Sequence, residues 1–180
     1  NMVLVLVGNI KAQQISGRIN AAFGRLAAKP SPERKVYQNL EIKGRKQYSA
    51  KVGFYPQVAM VFNGVPAGHP DEDALDIALA LLNNNSQTGT MDKLVLDGEL
   101  TSAGAYTRTF REQGRAIVAA IPRLPTKTKR RFESTKSAEK KALKAIQQIA
   151  NGEFEDWKID AIKAEKCRQF DLEMESNEDK

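Results

Sequence analysis

One histidine and one cysteine among 180 residues, His69 and Cys167, leave too few ligands for a zinc site built from several His or Cys side chains. A single cysteine has no partner within the chain for a disulfide, so packing alone must hold the fold and the redox compartment stays unread. Long apolar runs are missing too: Met2 to Val7 and Val58 to Phe62 fall far short of the ~20 residues that cross a bilayer. No G-x-x-x-x-G-K loop and no G-x-G-x-x-G turn occurs, which removes the usual anchors for phosphate chemistry. Glycine and proline are not in excess, and 41% hydrophobic with 28% charged residues is the composition of a folded globular chain. Asn1 leads straight into an apolar run with no basic lead and no cleavage pattern, which predicts an excerpt of a longer chain rather than a secretory leader.

What is present reads as an α+β succession. Met2 to Val7 (MVLVLV) suits a strand buried on both faces. Ile15, Ile19, Phe23 and Leu26 then recur at helical spacing, with Gly24 where a left-handed cap would sit. Pro30 and Pro32 mark a linker, and Val36 to Val52 reads as irregular or edge-strand material. Gln57 to Val65 is a second central-strand candidate. Pro70 followed by Asp71, Glu72 and Asp73 starts a helix, because proline suits a first turn and carboxylates oppose the positive end of the dipole. Leu75, Ala78, Leu79 and Leu82 carry that helix to Asn83, and a short helix from Gly89 to Asp97 closes at Gly98. Leu100 to Phe110 and Arg115 to Ile121 flank Gly114 as a hairpin, with Tyr106 and Phe110 alternating with Thr107 and Thr109. Two helices follow, Ser137 to Ala150 with Leu143, Ile146 and Ile149 as its stripe, and Phe154 to Met174 with Ile159, Ile162, Cys167, Phe170 and Met174.

Chemistry has few footholds. His69 to Asp73 has the H-x-x-E core of an inverted zinc motif but ends in aspartate, and a histidine ahead of the first turn does not share the helix face that the fifth residue needs. Cys167, on an apolar stripe, reads as a small buried hydrophobe. Lys127, Lys129, Arg130, Arg131, Lys136, Lys140, Lys141 and Lys144 form a basic segment; Glu133 and Glu139 interrupt it and stacking aromatics are absent apart from Phe132, so a solvated loop and outer helix face is favoured over a phosphate-contacting patch. The net charge of +6 keeps a basic module for nucleic acid or another polyanion as the alternative reading.

The order of the pieces carries more than any one of them. Asn1-Met2 running into LVLVGN, a helix ending at Phe23-Gly24, a proline-containing linker, VFNGVPAGHPDEDAL, an asparagine-rich turn and NGEFEDWKIDAIK together resemble the pitrilysin and insulinase family of zinc metallopeptidases. The similarity is to the processing-peptidase-like segment that follows the zinc-binding domain, and it runs from Asn1 to about Phe170. It implies an α+β fold with helices packed on a mixed, largely antiparallel sheet, in which two similar domains face each other around a closed chamber. It divides the chain into 1–27, a strand-helix unit completing the preceding domain; 28–56, linker and edge material; and 57–180, a non-catalytic peptidase-like domain.

The same resemblance implies that this chain carries no catalytic residue, metal ligand or cofactor of its own. Zinc would sit in a domain upstream of Asn1, that domain of the same parent protein would be the partner, and peptide would be the substrate held against the chamber wall. Neither nucleic acid nor membrane is an implied partner, and the compartment stays open, a bacterial periplasmic or other extracytoplasmic one included. Many members place an arginine after the turn and a tyrosine some residues later against the substrate backbone; here those stretches read Gly89-Thr90-Met91-Asp92 and Leu100-Thr101-Ser102-Ala103. Tyr106 and Arg108 follow closely, so the candidate substrate contacts are Asn83, Asn84, Asn85 and Gly89 on the turn with Tyr106 and Arg108 on the hairpin. A purely structural subunit domain is the remaining alternative.

Overall fold

The computed structural model describes residues 3–27, 29–30, 33, 35, 43–51, 53–125 and 133–175. Contacts cluster into two compact units, Asn1–Tyr37 with Glu165–Lys180, and Gln38–Ala164. No helix among the described residues is long and apolar enough to cross a membrane.

In the first unit α1 (Ala12–Phe23) forms on the expected spacing of Ile15, Ile19 and Phe23, yet none of its residues is buried. Gly24 stays right-handed, at φ −61°, with its N–H on the Asn20 carbonyl at 2.8 Å, so the left-handed cap expected there is not made. The strand expected at Met2 to Val7 is not formed either: Val3 to Val7 are 41–89% exposed, and none of the described strands pairs with them. A strand buried on both faces needs neighbours for its N–H and C=O groups and a layer on each side, and the described residues supply neither. The same reason corrects the reading of the last helix, α5 (Trp157–Glu175), in which Ile162 alone is buried. Cys167 and Phe170 are exposed, so Cys167 is not the core residue expected.

The second unit is helices on an antiparallel sheet, the α+β architecture read from the sequence. Its elements are β1 (Val58–Gly64), α2 (Glu72–Leu82), α3 (Thr90–Leu96), β2 (Leu100–Thr109), β3 (Gly114–Pro122) and α4 (Thr135–Ala150), followed by the start of α5. Strand order is β1-β3-β2, so the centre is β3 rather than Gln57 to Val65, which forms an edge in this sheet. The hairpin register sets Tyr106 opposite Ile117 and Arg108 opposite Arg115; on the other side Val61 faces Ile117 and Asn63 faces Arg115. Along β3 burial alternates strictly, Ala116, Val118 and Ala120 lying inside.

The core joins those three residues to Leu79 and Leu82 of α2, Met91 of α3, Leu100, and Ala138, Ala142 and Ala145 of α4. The alanine face of α4 is a correction: the expected stripe included Leu143, which is 40% exposed, with Ile146 and Ile149 only partly buried. Small residues on α4 meet small residues on β3, so helix and strand approach closely and the larger side chains are left to the flanks. Ser134 caps α4 by accepting the Ser137 N–H at 3.2 Å. At the end of α3, Gly98 at φ +68° donates to the Val95 carbonyl while Glu99 donates to that of Leu94, the paired bonds that close a helix and turn the chain into β2.

Candidate functional site

Helix α2 runs out at Asn83, whose extended backbone begins the turn to α3. Here the sequence concentrates amides, and the structure puts two of them to work inside the fold. Asn84 Nδ2 donates to the Ala80 carbonyl at 2.9 Å and to Thr88 Oγ1 at 3.0 Å, taking one of the carbonyls that the helix end leaves unpaired. Its Oδ1 accepts the Thr88 N–H at 3.2 Å. Asn83 donates from Nδ2 to Asp92 Oδ1 at 2.5 Å and accepts the Ala105 N–H of β2 on its Oδ1 at 3.3 Å. It therefore covers part of the edge of the sheet.

Asp92 is the organiser that sequence reasoning missed. It is 5% exposed, and its Oδ2 accepts the N–H groups of Asn84 and Gly89, both at 3.0 Å. Gly89 is the N-cap of α3, so Asp92 makes the reciprocal half of a capping box, with no side chain on the glycine to return the bond. An acidic residue three positions after the cap was the signal available. Gly89 is also a close approach: a Cβ there would lie 2.3 Å from the Leu82 carbonyl oxygen. Beside this turn lies an open cleft of about 350 Å³, lined by Asn83, Asn84, Asn85 and Gln87 together with Val95, Leu96 and Ala103. Asn85 is exposed.

Tyr106 and Arg108 are not in the cleft. They lie three and five residues along β2 from Ala103 at its margin, about 10 and 17 Å at the rise of a strand. Their register places them on the face of the sheet opposite Ala116, Val118 and Ala120, on which the helices pack. Tyr106 is 50% exposed. The hydroxyl face turns inward instead, Thr107 Oγ1 donating to Asp76 of α2 at 2.8 Å. The outer face is thus formed by Val61, Ile117 and Tyr106 in one row, Asn63, Arg115 and Arg108 in the next, and Ala59, Ala119 and Gly104 on the other side. The six candidate residues divide into a turn whose first two amides serve the fold and a sheet face whose two side chains reach outward.

The described residues contain no group of three or more His, Cys, Asp and Glu that could hold a metal ion. At the His69 string the side chains do not converge. His69 Nδ1 accepts the Asp71 N–H at 3.1 Å, ahead of α2, and Glu72 Oε2 accepts the Gly68 N–H at 2.6 Å. The string closes the loop into the helix and does not fit a zinc site. Of the basic segment, Lys127 to Arg131 lie outside the described residues, and Lys136, Lys140 and Lys144 are exposed. Lys141 departs from the outer-face reading: at 22% exposure it holds Glu133 at 3.0 Å, Glu99 at 3.5 Å and the Glu99 carbonyl at 3.0 Å, tying α4 to the α3–β2 turn. With the Ser137 hydroxyl donating first, and Lys141 and Arg123 adding positive charge against the opposing effect of burial, the Glu133 carboxyl is held below its usual 4.5.

The family model described as "Peptidase M16 inactive domain" matches residues 1–166. No curated protein matches the chain. Among solved structures, "The crystal structure of a protease from Helicobacter pylori" shares the fold with a TM-score of 0.70 at 16% identity. The similarity covers 96% of this chain and 41% of that one, so the chain spans about two-fifths of the protease's length.

Proposed function

Since this chain belongs to the peptidase M16 family as an inactive domain, we propose that it forms one wall of a peptidase chamber and holds extended peptide substrate there. Zinc chemistry would then be carried out by a catalytic domain of the same parent protein, with which this one pairs. The observation that supports the reading is the outer face of the β1-β3-β2 sheet. Its helices pack on the Ala116, Val118 and Ala120 side, while Val61 and Tyr106 remain half-exposed on the other. A face with a row of apolar side chains and adjacent polar heads can seat an extended chain by area and orient it by a few polar contacts. Such positioning serves a reaction by removing freedom from the substrate.

The turn at Asn83 to Gly89 contributes differently from the hairpin. Its first two amides and Asp92 are occupied in holding α2, α3 and β2 together, so its role in the wall is to shape the cleft, and the hairpin side chains make the substrate contacts. Photo-crosslinking tests this directly. An unstructured peptide carrying a benzophenone side chain, mixed with the full chain and mapped by mass spectrometry, is expected to label β1, β2 and β3 at Val61, Tyr106 and Ile117, and to lose most labelling in Tyr106→Ala. Labelling confined to the exposed faces of α4 and α5, or none, sinks the reading. Peptide turnover by the chain alone in added zinc, abolished by a chelator, contradicts the inactive assignment.

A further inference from the structure

The charge on this sheet is sparse and one-sided. Among the residues of β1, β2 and β3 the only charged side chains are Arg108 and Arg115. They are cross-strand partners in the hairpin register, on the outer face, so their Cβ atoms lie about 5 Å apart. Like charges directly opposite each other on a sheet are unfavourable, and no carboxylate on the three strands relieves them. The Arg115 guanidinium is steered by neutral acceptors, Nη1 on the Gly114 carbonyl and Nη2 on Gln113 Oε1, both at 2.8 Å. These bonds fix its direction and leave its charge uncancelled. Arg108 has no ion pair or side-chain hydrogen bond among the described residues. Tyr106 is the neighbour of Arg108 along β2 and Asn63 the partner of Arg115 across to β1, a ring and an amide.

Two guanidinium groups carried on Cβ atoms this close hold N–H donors beyond the two that Arg115 gives to Gly114 and Gln113, and a carboxylate set between them would replace a repulsion by charge-assisted hydrogen bonds. We propose that Arg108 and Arg115 form a carboxylate-selecting subsite on the outer sheet face, so that the peptide held by this wall is one with an acidic side chain beside its apolar residues. The inference rests on the wall reading and adds the chemical class of the substrate to it. Tyr106 and the Val61–Ile117 row would take the apolar residue next to the acid.

The test is a fluorescence-anisotropy titration of the full chain with two labelled unstructured peptides, identical except that the glutamates of one are glutamines in the other. The glutamate peptide is expected to bind roughly 10-fold more tightly at low salt, and most of the difference to vanish by about 0.5 M salt. The preference should be lost in Arg108→Gln/Arg115→Gln and reduced but still present in Arg108→Lys/Arg115→Lys, which preserves the charge without the fork and guards against a folding defect. It should also be kept in Lys140→Gln/Lys144→Gln, which removes the same net charge from the exposed face of α4. Equal affinity for the two peptides overturns the subsite and leaves the wall standing. A preference that survives in the double glutamine variant, or that disappears in the α4 variant, also overturns it, the acid then being read by the overall charge. Absence of binding by either peptide overturns the wall reading and this one with it.

Discussion

Replacing Asp92 with alanine is expected to lower the unfolding free energy by about 3 kcal/mol, a large share of the 5–15 kcal/mol typical of a domain. The carboxylate accepts three hydrogen bonds, from Asn83 Nδ2, Asn84 N and Gly89 N. Bonds to a charged acceptor are worth roughly 1.5–3 kcal/mol each, but they are not additive when water can replace the lost partner. Asn83 and Asn84 border the cleft, where water reaches them. Gly89 is buried, so its N–H bears most of the penalty. Asp92→Asn keeps one acceptor oxygen and should lose about half as much. Urea unfolding followed by circular dichroism measures both, with an unchanged dependence on denaturant showing that the transition is still the same one. Amide exchange adds a local check, because Asn83 oriented by Asp92 accepts the Ala105 N–H. Exchange at Ala105 should quicken in Asp92→Ala, thirteen residues along the chain. A loss below about 1 kcal/mol, or equal losses for alanine and asparagine, would refute the reasoning.

Gly89→Ala should cost about 3 kcal/mol by placing a Cβ 2.3 Å from the backbone oxygen of Leu82, an atom that cannot yield as a flexible side chain would. Combined with Asp92→Ala its cost should be markedly less than additive, since both act on the same turn, and a thermal-melt double-mutant cycle reads the coupling. Ala142→Leu should destabilise by about 2–3 kcal/mol through overpacking between α4 and β3, whereas Leu143→Ala beside it should change stability by less than about 1 kcal/mol. Urea midpoints that reverse that order would displace the alanine face from the core. Glu133, whose folded pKa is lowered, adds stability that is complete above its unfolded pKa and is lost as pH falls through the folded value. The wild type should accordingly lose more stability than Glu133→Gln between neutral pH and the range below 4.5, and parallel acid titrations contradict this.

The elements most legible in the sequence were those with local chemistry. The acid-rich start of α2, the Asn83 stop and the Gly98 closure of α3 each depend on residues within a few positions and each is where the spacing put it, whereas Gly114, expected in the hairpin turn, is the first residue of β3, paired with Thr109 and Gly64. What local chemistry cannot show is which neighbour arrives from elsewhere. MVLVLV has the residues of a buried strand but no partner strand among the described residues, and Cys167 sits at stripe spacing yet is exposed. On α4 both the Leu143 and the Ala142 faces satisfy helical periodicity, and only the small residues on β3 decide between them. For the site, Tyr106 and Arg108 could be named from the hairpin, and Arg115 could have been by counting its register. That Asn83 turns inward depends on Asp92, nine positions away across the α2–α3 turn, while the Asn84 side chain is held by Ala80 and Thr88.

The placement of β3 between its two partners also sets an order of assembly. Thr109 and Gly114 meet across a turn of a few residues, so the β2–β3 ribbon can close in microseconds from local diffusion. Val58 finds Ala120 only after α2, α3 and β2 have been folded into the space between them, at the entropic cost of a long loop. Strand β1 is therefore expected to zip on last and to peel away first, its amides exchanging ahead of those of the hairpin under mild urea. One of the three side chains of the row on the outer face, Val61, would come and go with it.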